Sequence, residues 1–369
     1  MPMIDNSLNK RKIDWTLMLI ICLLFLIGMV LISSATQFDK RRLIMQGGSF
    51  VIGAGIVIFS GLFDYRILNR YGKQLYFITI ALLLLVYVPG LGKAQFGARS
   101  WINLGFMDFQ TSEAAKITFT LAYASFLDKR KNKLNDLSEI LPALAYPLPM
   151  LLLLLKQPDL GGVIVFVSIS AVCLFATGLN LKFIANSLLT LALSTPIIYK
   201  FILRDHQRVR IDAFLNPGDP SFEGNFQVIQ SMTAIGSGGF FGKGLFNGTI
   251  SQYGFLPVTE SDFIFAVLGE ELGFVGMAVV IFLFFMLLTR IYSIAQNAKD
   301  FYGTLITSGF LGMLFYQVFQ NIGMTMGVMP VTGVTLPFVS YGGSSMLTTM
   351  IIIAMIMNVY SKAHSSFAY

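Results

Sequence analysis

Apolar runs of about twenty residues, separated by short polar or basic stretches, recur from Trp15 to Tyr360. A helix rising 1.5 Å per residue needs about 20 residues to cross a hydrocarbon layer roughly 30 Å thick. On that measure ten spans are predicted, near residues 15–35, 43–62, 74–88, 112–127, 139–155, 161–177, 183–201, 263–288, 302–324 and 341–360. The first exceeds the 7–15 apolar residues or so of a signal-peptide core, although Ser33-Ser34-Ala35 loosely imitates a cleavage site, so it reads as an uncleaved span. Between the seventh and eighth spans lies a connection of about 60 residues, Ile202–Asp262, where about 4 to 6 is usual. Its aromatic and apolar content argues against disorder. The predicted fold is an all-α integral membrane protein, residues 1–369 forming a single polytopic domain. It has about ten transmembrane helices and one long structured extracellular loop, residues 202–262, between helices 7 and 8.

Composition agrees with the pattern. The chain of 369 residues is 55% hydrophobic and only 12% charged, whereas soluble proteins are about a quarter charged. Cys22 and Cys173 both fall inside apolar runs, so neither a disulfide framework nor a cysteine metal site is offered. Two histidines, His206 and His364, give no basis for transition-metal catalysis, and no metal-ligand set is assigned. No internal repeat is evident.

Charge orients the bundle. Lys10, Arg11, Lys12, then Arg66, Arg70, Lys73, then Lys129, Arg130, Lys131 and Lys133 fall at the N-terminus and on alternate short loops, which makes both termini cytoplasmic. The net charge is +7, and Lys93, Arg99, Lys116, Lys156, Arg204, Arg208, Arg210 and Lys243 fall toward the outer mouth. Such a cluster suits an anionic partner, a lipid phosphate or pyrophosphate; ordinary solvated loop charge is the alternative. No nucleic-acid partner is indicated.

Several polar groups need explaining. "AIGSGGFFGKGL" imitates a phosphate-binding loop, but Ser237 stands in place of the first glycine and Gly244 follows Lys243. A tight re-entrant backbone fits it better. Glu270 and Glu271 lie eight and nine residues beyond Asp262, about 12 to 14 Å along a helix, and must face protein, water or a cation, or be protonated. Gly269 and Gly273 offer a small face for another helix. Asp262 can be the N-cap of the eighth helix, with Ser261 competing. Ser112 and Glu113 resemble a helix start, with Lys116 placed to pair with Glu113. In "KQPDLGG", Pro158 and Asp159 end one helix and begin the next.

Five blocks in order, "GARSWINLGFMDFQTSEAAKI", "KQPDLG", "QRVRIDAFLNP" with "GNFQVIQSMTAIGSGGFFGKGL", "LPVTESDFIFAVLGEELGFVG" and "MGVMPVTGVTLPFVSYGGSS", resemble the SEDS family of bacterial cell-wall proteins. "GTISQYGFLP" and the last block look more like its RodA-type elongation members than its division or sporulation members. The resemblance implies a glycosyltransferase that polymerises lipid II on the outer face of the cytoplasmic membrane, beside a class B penicillin-binding protein as transpeptidase. The family's essential aspartate matches Asp262. Its GAR-x-W block matches Arg99 and Trp101, and its P-S-E-x-x-K element matches Ser112, Glu113 and Lys116, with Thr111 in place of the proline. Val258 stands where many members carry glutamate, with Glu260 two residues on. The expected substrate-binding set is Arg99, Trp101, Glu113, Lys116, Lys156, Asp159, Arg208, Arg210, Gln230, Ser231 and Glu270.

The implied chemistry suits these residues. A glycosidase needs a second carboxyl group to protonate a poor leaving group, whereas pyrophosphate leaves readily and needs cations plus one base for the attacking hydroxyl. Asp262 is that base, and the product is inverted. No cofactor is assigned, and a divalent cation, Mg²⁺ or Mn²⁺, is the one candidate. A flippase or transporter for lipid-linked sugars, or a non-catalytic scaffold for the transpeptidase, is the alternative function.

Overall fold

The computed structural model describes residues 12–179 except 96, 97, 104, 106, 107 and 132–136, isolated positions between 186 and 201, and residues 205–216 and 223–364. Helices dominate: α1 (Trp15–Ala35), α2 (Lys40–Ser60), α3 (Arg66–Arg70), α4 (Gly72–Leu84) with a 3-10 turn at Leu85–Tyr87, α5 (Thr111–Asp128), α6 (Leu137–Ala145), α7 (Leu148–Lys156) and α8 (Leu160–Ala176). After the sparsely described stretch come α9 (Asp205–Leu215), α10 (Glu223–Gly238), α11 (Thr249–Gln252), α12 (Ile264–Gln296), α13 (Phe301–Thr325) and α14 (Gly343–His364). The seventh predicted span, 183–201, is described at eight of its nineteen positions, and the other eleven lie outside the described residues.

Among the described residues, α1, α2, α12 and α14 are each long and apolar enough to cross a membrane alone. Gly72–Tyr87, Ile140–Lys156 and Leu160–Ala176 are shorter apolar segments. The run predicted as one span at 139–155 is two helices. Pro142 sits inside α6 and Pro147 precedes α7, and a proline removes one backbone donor and crowds the preceding turn. α5 and α13 sit at the centre, with α13 packed on α5, α8, α12 and α14, and both are buried along most of their length.

Aspartates start the helices as elementary capping chemistry predicts. Asp14 accepts from the Leu17 amide at 3.1 Å, Asp39 from Arg41 at 2.9 Å, Asp159 from Gly162 at 2.8 Å and Asp300 from Gly303 at 2.8 Å. A small antiparallel sheet joins α4 to α5, an element the all-helical reading leaves out: β1 (Gly92–Gln95), β2 (Ala98–Asn103) and β3 (Asp108–Gln110), in the order β1-β2-β3. Trp101 is opposite Lys93 on one side and Gln110 on the other.

The long connection carries α9, α10 and α11, and it meets α12 at a break. Gly273 interrupts α12 with φ 63° and ψ −161°. A broken helix at membrane depth strands amides and carbonyls that water cannot reach, each costing several kcal/mol. Here the strand that follows α10 supplies the partners. Lys243 and Gly244 amides donate to the Glu270 and Glu271 carbonyls, both at 3.0 Å, while the Phe274 and Val275 amides donate to the Gly239 and Phe240 carbonyls at 3.0 and 3.2 Å. Contact this close needs glycine: a Cβ on Gly242 would overlap the Glu271 carbonyl, and one on Gly238 the Gly269 carbonyl. The small face at Gly269 and Gly273 therefore receives Ile235, Phe240 and Gly242 of the re-entrant segment.

Gly242→Ala should be among the most damaging alanine substitutions in the chain, because φ is 81° there and backbone blocks the new methyl group. We expect a loss of about 2 kcal/mol or more, read as a lowered melting temperature of the detergent-solubilised protein. Gly236→Ala, with nothing within 4 Å of the added carbon, should be neutral or stabilising.

Candidate active site

Asp262 lies in the turn before α12 and is half-buried. Phe263 takes the N-cap position and no side chain caps this helix, so the capping role expected of Asp262 or Ser261 is not what the fold uses. The Val258 carbonyl, brought round by a left-handed φ of 57°, instead accepts from the Ser261, Asp262 and Phe263 amides at 3.3, 3.2 and 3.4 Å. The Asp262 carboxylate receives the Ser261 hydroxyl on Oδ1 at 3.1 Å, and Oδ2 faces Gly333.

The turn is held by its main chain. Tyr341 N donates to the Glu260 carbonyl at 2.8 Å, the Ser340 hydroxyl to the Ser261 carbonyl at 2.6 Å, and the Asn321 amide of α13 to the Asp262 carbonyl at 3.0 Å. Asn321 also donates to Val334 O at 2.8 Å, which fixes the 330s loop against the same turn. Gln46 of α2 clamps the loop's far end, donating to Ser340 O at 2.9 Å and accepting from Gly342 N at 3.1 Å. The sheet docks beside it, where the Ser344 hydroxyl of α14 donates to the Asp108 carbonyl at 2.9 Å.

The expected site residues divide into two groups. At the Asp262 end, Asp159 caps α8, and Gly161 of that helix packs on Thr332 and Val334, on either side of the Gly333 that faces Asp262. The second Asp159 oxygen is buried without a hydrogen-bond partner among the described residues. Trp101 is half-buried on β2, and Lys156, at the end of α7, places its ammonium 5.4 Å from the Tyr87 ring centre. Glu113 and Lys116, 6% and 4% exposed, pair at 2.6 Å in the first turns of α5, leaving Glu113 Oε2 without a hydrogen-bond partner among the described residues. Arg99 is on β2 and Arg210 on α9, but both side chains lie outside the described residues.

The second group is committed to the frame. Arg208 donates to the Tyr199 and Lys200 carbonyls at 3.0 and 2.8 Å. Buried Ser231 donates to the Thr325 carbonyl at 2.8 Å, tying α10 to α13, and Gln230 is half-buried beside it. Glu270, expected to touch substrate, is fully buried. Its carboxylate receives the Thr249, Ile250 and Ser251 amides at 2.8, 2.9 and 2.9 Å and the Lys243 ammonium at 2.7 Å, so it caps α11. Glu271 accepts from the Ser34 hydroxyl of α1. The predicted cationic cluster thins accordingly. Lys116 is taken by Glu113, Lys243 by Glu270, Lys93 by Asp108 at 3.2 Å, and Arg208 by main-chain oxygens. For Lys116 and Lys243 the local reason is that a cation in a partly dry place is kept only with a partner, whereas the Lys93 pair is exposed.

Sequence reasoning passed over Arg42, Gln46, Asn321 and Ser340. The basic run Lys40-Arg41-Arg42 at a helix start was a visible signal for the first. The other three act through amide and hydroxyl groups that no spacing rule singles out. Among the described residues, no group of three or more His, Cys, Asp or Glu side chains is placed to hold a metal ion.

Taken together, a helical membrane bundle carries a half-buried carboxylate beside a glycine-containing turn, a buried ion pair at the start of α5 and a half-buried tryptophan on β2. That describes a multi-pass membrane protein with a candidate site around one carboxylate. The chain belongs to the FtsW/RodA/SpoVE family: the family model described as "Cell cycle protein" matches residues 11–365. It is 36% identical to stage V sporulation protein E of Bacillus subtilis, over 96% of this chain and 99% of that one. It is also 36% identical to peptidoglycan glycosyltransferase MrdB of Escherichia coli K12, over 96% and 95%. Among solved structures, a chain of a peptidoglycan synthase complex superposes with a TM-score of 0.83 at 33% identity, covering 96% of this chain and 99% of its own. The Thermus thermophilus rod shape determining protein RodA does so at 0.72 and 31%, covering 97% and 100%.

Lys116→Ala should strand the buried Glu113 carboxylate and lower stability by about 3–5 kcal/mol. Lys116→Ala combined with Glu113→Ala should recover most of that loss, measured by thermal unfolding in detergent. Additive losses would show that the two groups are not coupled.

Proposed function

We propose that this protein is a peptidoglycan glycosyltransferase that joins lipid II disaccharide units into glycan strands, with Asp262 as general base. The observation that carries the base assignment is the contrast among aspartates. Asp14, Asp39, Asp159 and Asp300 each cap a helix, whereas at the start of α12 Phe263 takes the N-cap position and the Asp262 side chain makes no cap hydrogen bond to that helix. The activity rests on kinship with MrdB and with FtsW proteins named as probable peptidoglycan glycosyltransferases.

In this reaction the 4-hydroxyl of one N-acetylglucosamine attacks the anomeric carbon of the N-acetylmuramic acid that carries undecaprenyl diphosphate. The new C–O bond forms as the bond to diphosphate breaks. The hydroxyl proton passes to the Asp262 carboxylate, and the negative charge leaves on the diphosphate. Displacement from one side turns an α-linked donor into a β-linked glycan. The Ser261 hydroxyl on Oδ1 orients the carboxylate so that Oδ2, on the Gly333 side, takes the proton. Lys156 and Arg99 hold the departing diphosphate. Glu113 and Lys116 form a fixed ionic wall at the root of that sheet. A divalent cation enters, if at all, with the diphosphate, since Mg²⁺ is commonly held by one or two carboxylates together with phosphate oxygens.

The site faces outward from the bacterial cytoplasmic membrane with both termini cytoplasmic, and the partner is a class B penicillin-binding protein. Likeness to a chain of a peptidoglycan synthase complex supports that pairing. Identity with the sporulation protein and with MrdB is equal, so the assignment to elongation rests on the blocks at Gly248–Pro257 and Met324–Ser345.

Purified wild-type protein with its transpeptidase should polymerise lipid II in detergent, where no membrane remains to be crossed. Asp262→Asn should lose about 10²- to 10⁴-fold in rate while keeping its melting temperature and its complex. Full activity in that variant would remove Asp262 from the chemistry, and an inactive wild type would favour a transporter or scaffold.

A further inference from the structure

Arg42 and Glu260 have had no part in the reaction so far. Arg42 opens α2, and its Nη1 lies 2.5 Å from Oε1 of Glu260, two residues before Asp262. The same guanidinium is 3.5 Å from Asp39 and 5.8 Å from the Tyr341 ring centre. Glu260 is mostly buried, with 18% of its side chain exposed, against 39% for Arg42.

The other ties on the Asp262 turn reach its main chain. Tyr341 and Ser340 belong to the loop before α14, and Asn321 to α13. They hold three successive carbonyls, at Glu260, Ser261 and Asp262, and so act on the backbone of the turn rather than on its side chains. The Arg42–Glu260 pair reaches the turn from α2 through a side chain, adding a fourth tie to the three on the main chain. That tie matters because the turn begins at Val258, a β-branched residue held at φ 57°, a conformation that persists only where its surroundings enforce it. A shift of about 1 Å at a reacting group is enough to cost a large factor in rate.

We infer that Arg42 and Glu260 form a positioning clasp, which holds the Asp262 carboxylate at the angle needed for proton transfer without itself touching substrate. Glu260 also neutralises Arg42, so the clasp adds no net charge beside the base. The inference rests on Asp262 being the base.

Its test is steady-state polymerisation of lipid II by the full chain with its transpeptidase, comparing Arg42→Gln, Glu260→Gln, Arg42→Lys, and the exchanged pair Arg42→Glu with Glu260→Arg, with Asp262→Asn alongside. Each glutamine variant should lose about tenfold in kcat with KM within about twofold and an unchanged melting temperature. Arg42→Lys and the exchanged pair should regain most of the rate. The clasp is overturned if both glutamine variants keep wild-type kcat, or if the exchanged pair is no better than the single variants. It is overturned equally if KM rises while kcat holds, which would make Arg42 a diphosphate ligand. Activity in Asp262→Asn would defeat the base assignment itself, a separate result.

Discussion

In a bilayer, the rule that governs this structure is that no backbone amide or carbonyl can be left without a partner. α12 breaks that rule at Gly273, and much of the remaining architecture repairs the damage. The segment after α10 supplies amides and carbonyls to both sides of the break, and glycines at 238 and 242 let it come close enough. The repair divides α12 in two. Phe263 to Glu271 is buried on every side, whereas Phe274 and Val275 are exposed at 55% and 40%. The two glutamates fall in the enclosed half, where Glu270 caps α11 and Glu271 meets α1, so charge in an apolar run has protein rather than lipid around it. The enclosed half is also the rigid platform on which Asp262 stands.

Electrostatics follows the same logic of partners. A first look at the sequence finds an excess of cations toward one end and reads it as an anion site. The fold assigns most of the described ones to specific oxygens: Lys116 to Glu113, Lys243 to Glu270, Lys93 to Asp108, Arg42 to Glu260, Arg208 to carbonyls. Opposite charges held this way still shape a local potential, but they do not form one attractive basin. Recognition of a diphosphate then depends on a few groups, which makes the geometry of the rim more important than its total charge. At the other end of the bundle the pattern repeats with structural purpose. Asp300 caps α13 and accepts from Tyr65 and Arg66 at 2.5 and 3.0 Å, and burial together with Asp300 pushes the Tyr65 phenol above its usual range.

How much of this was legible beforehand depends on the range of the interaction. Helices were legible because apolar runs act locally, and so were the cap at Asp159 and the Glu113–Lys116 pair, which need only residues three apart. The re-entrant segment was visible in its glycines. The split at Pro147 was spelled out by its prolines but lost in a run that stayed apolar throughout. What was hidden was long-range. Gln46 reaches Ser340 and Gly342, Asn321 reaches two carbonyls, and Arg42 finds Glu260 far along the chain. No local pattern encodes such meetings, since each depends on which helices the bundle sets side by side. Glu270 was misassigned for a related reason: a buried carboxylate looks the same in sequence whether its partners are substrate or the amides of a short helix.

The aspartate at the centre shows how the two ranges combine. Aspartate before a helix is most often a cap, and a cap makes a poor base because its oxygens are already occupied by amides. Here Val258 turns its carbonyl into the Ser261, Asp262 and Phe263 amides, at the expense of a left-handed backbone worth about 1–3 kcal/mol of strain. The strain does the work a cap would otherwise do, while the carboxylate receives the Ser261 hydroxyl on one oxygen and turns the other toward Gly333. Chemistry with a good leaving group asks for one base in a fixed place, not for a pair of carboxyl groups. A chain that meets that demand must hold a strained turn firmly from several helices, and the ties from α2, α13 and the loop before α14 do that.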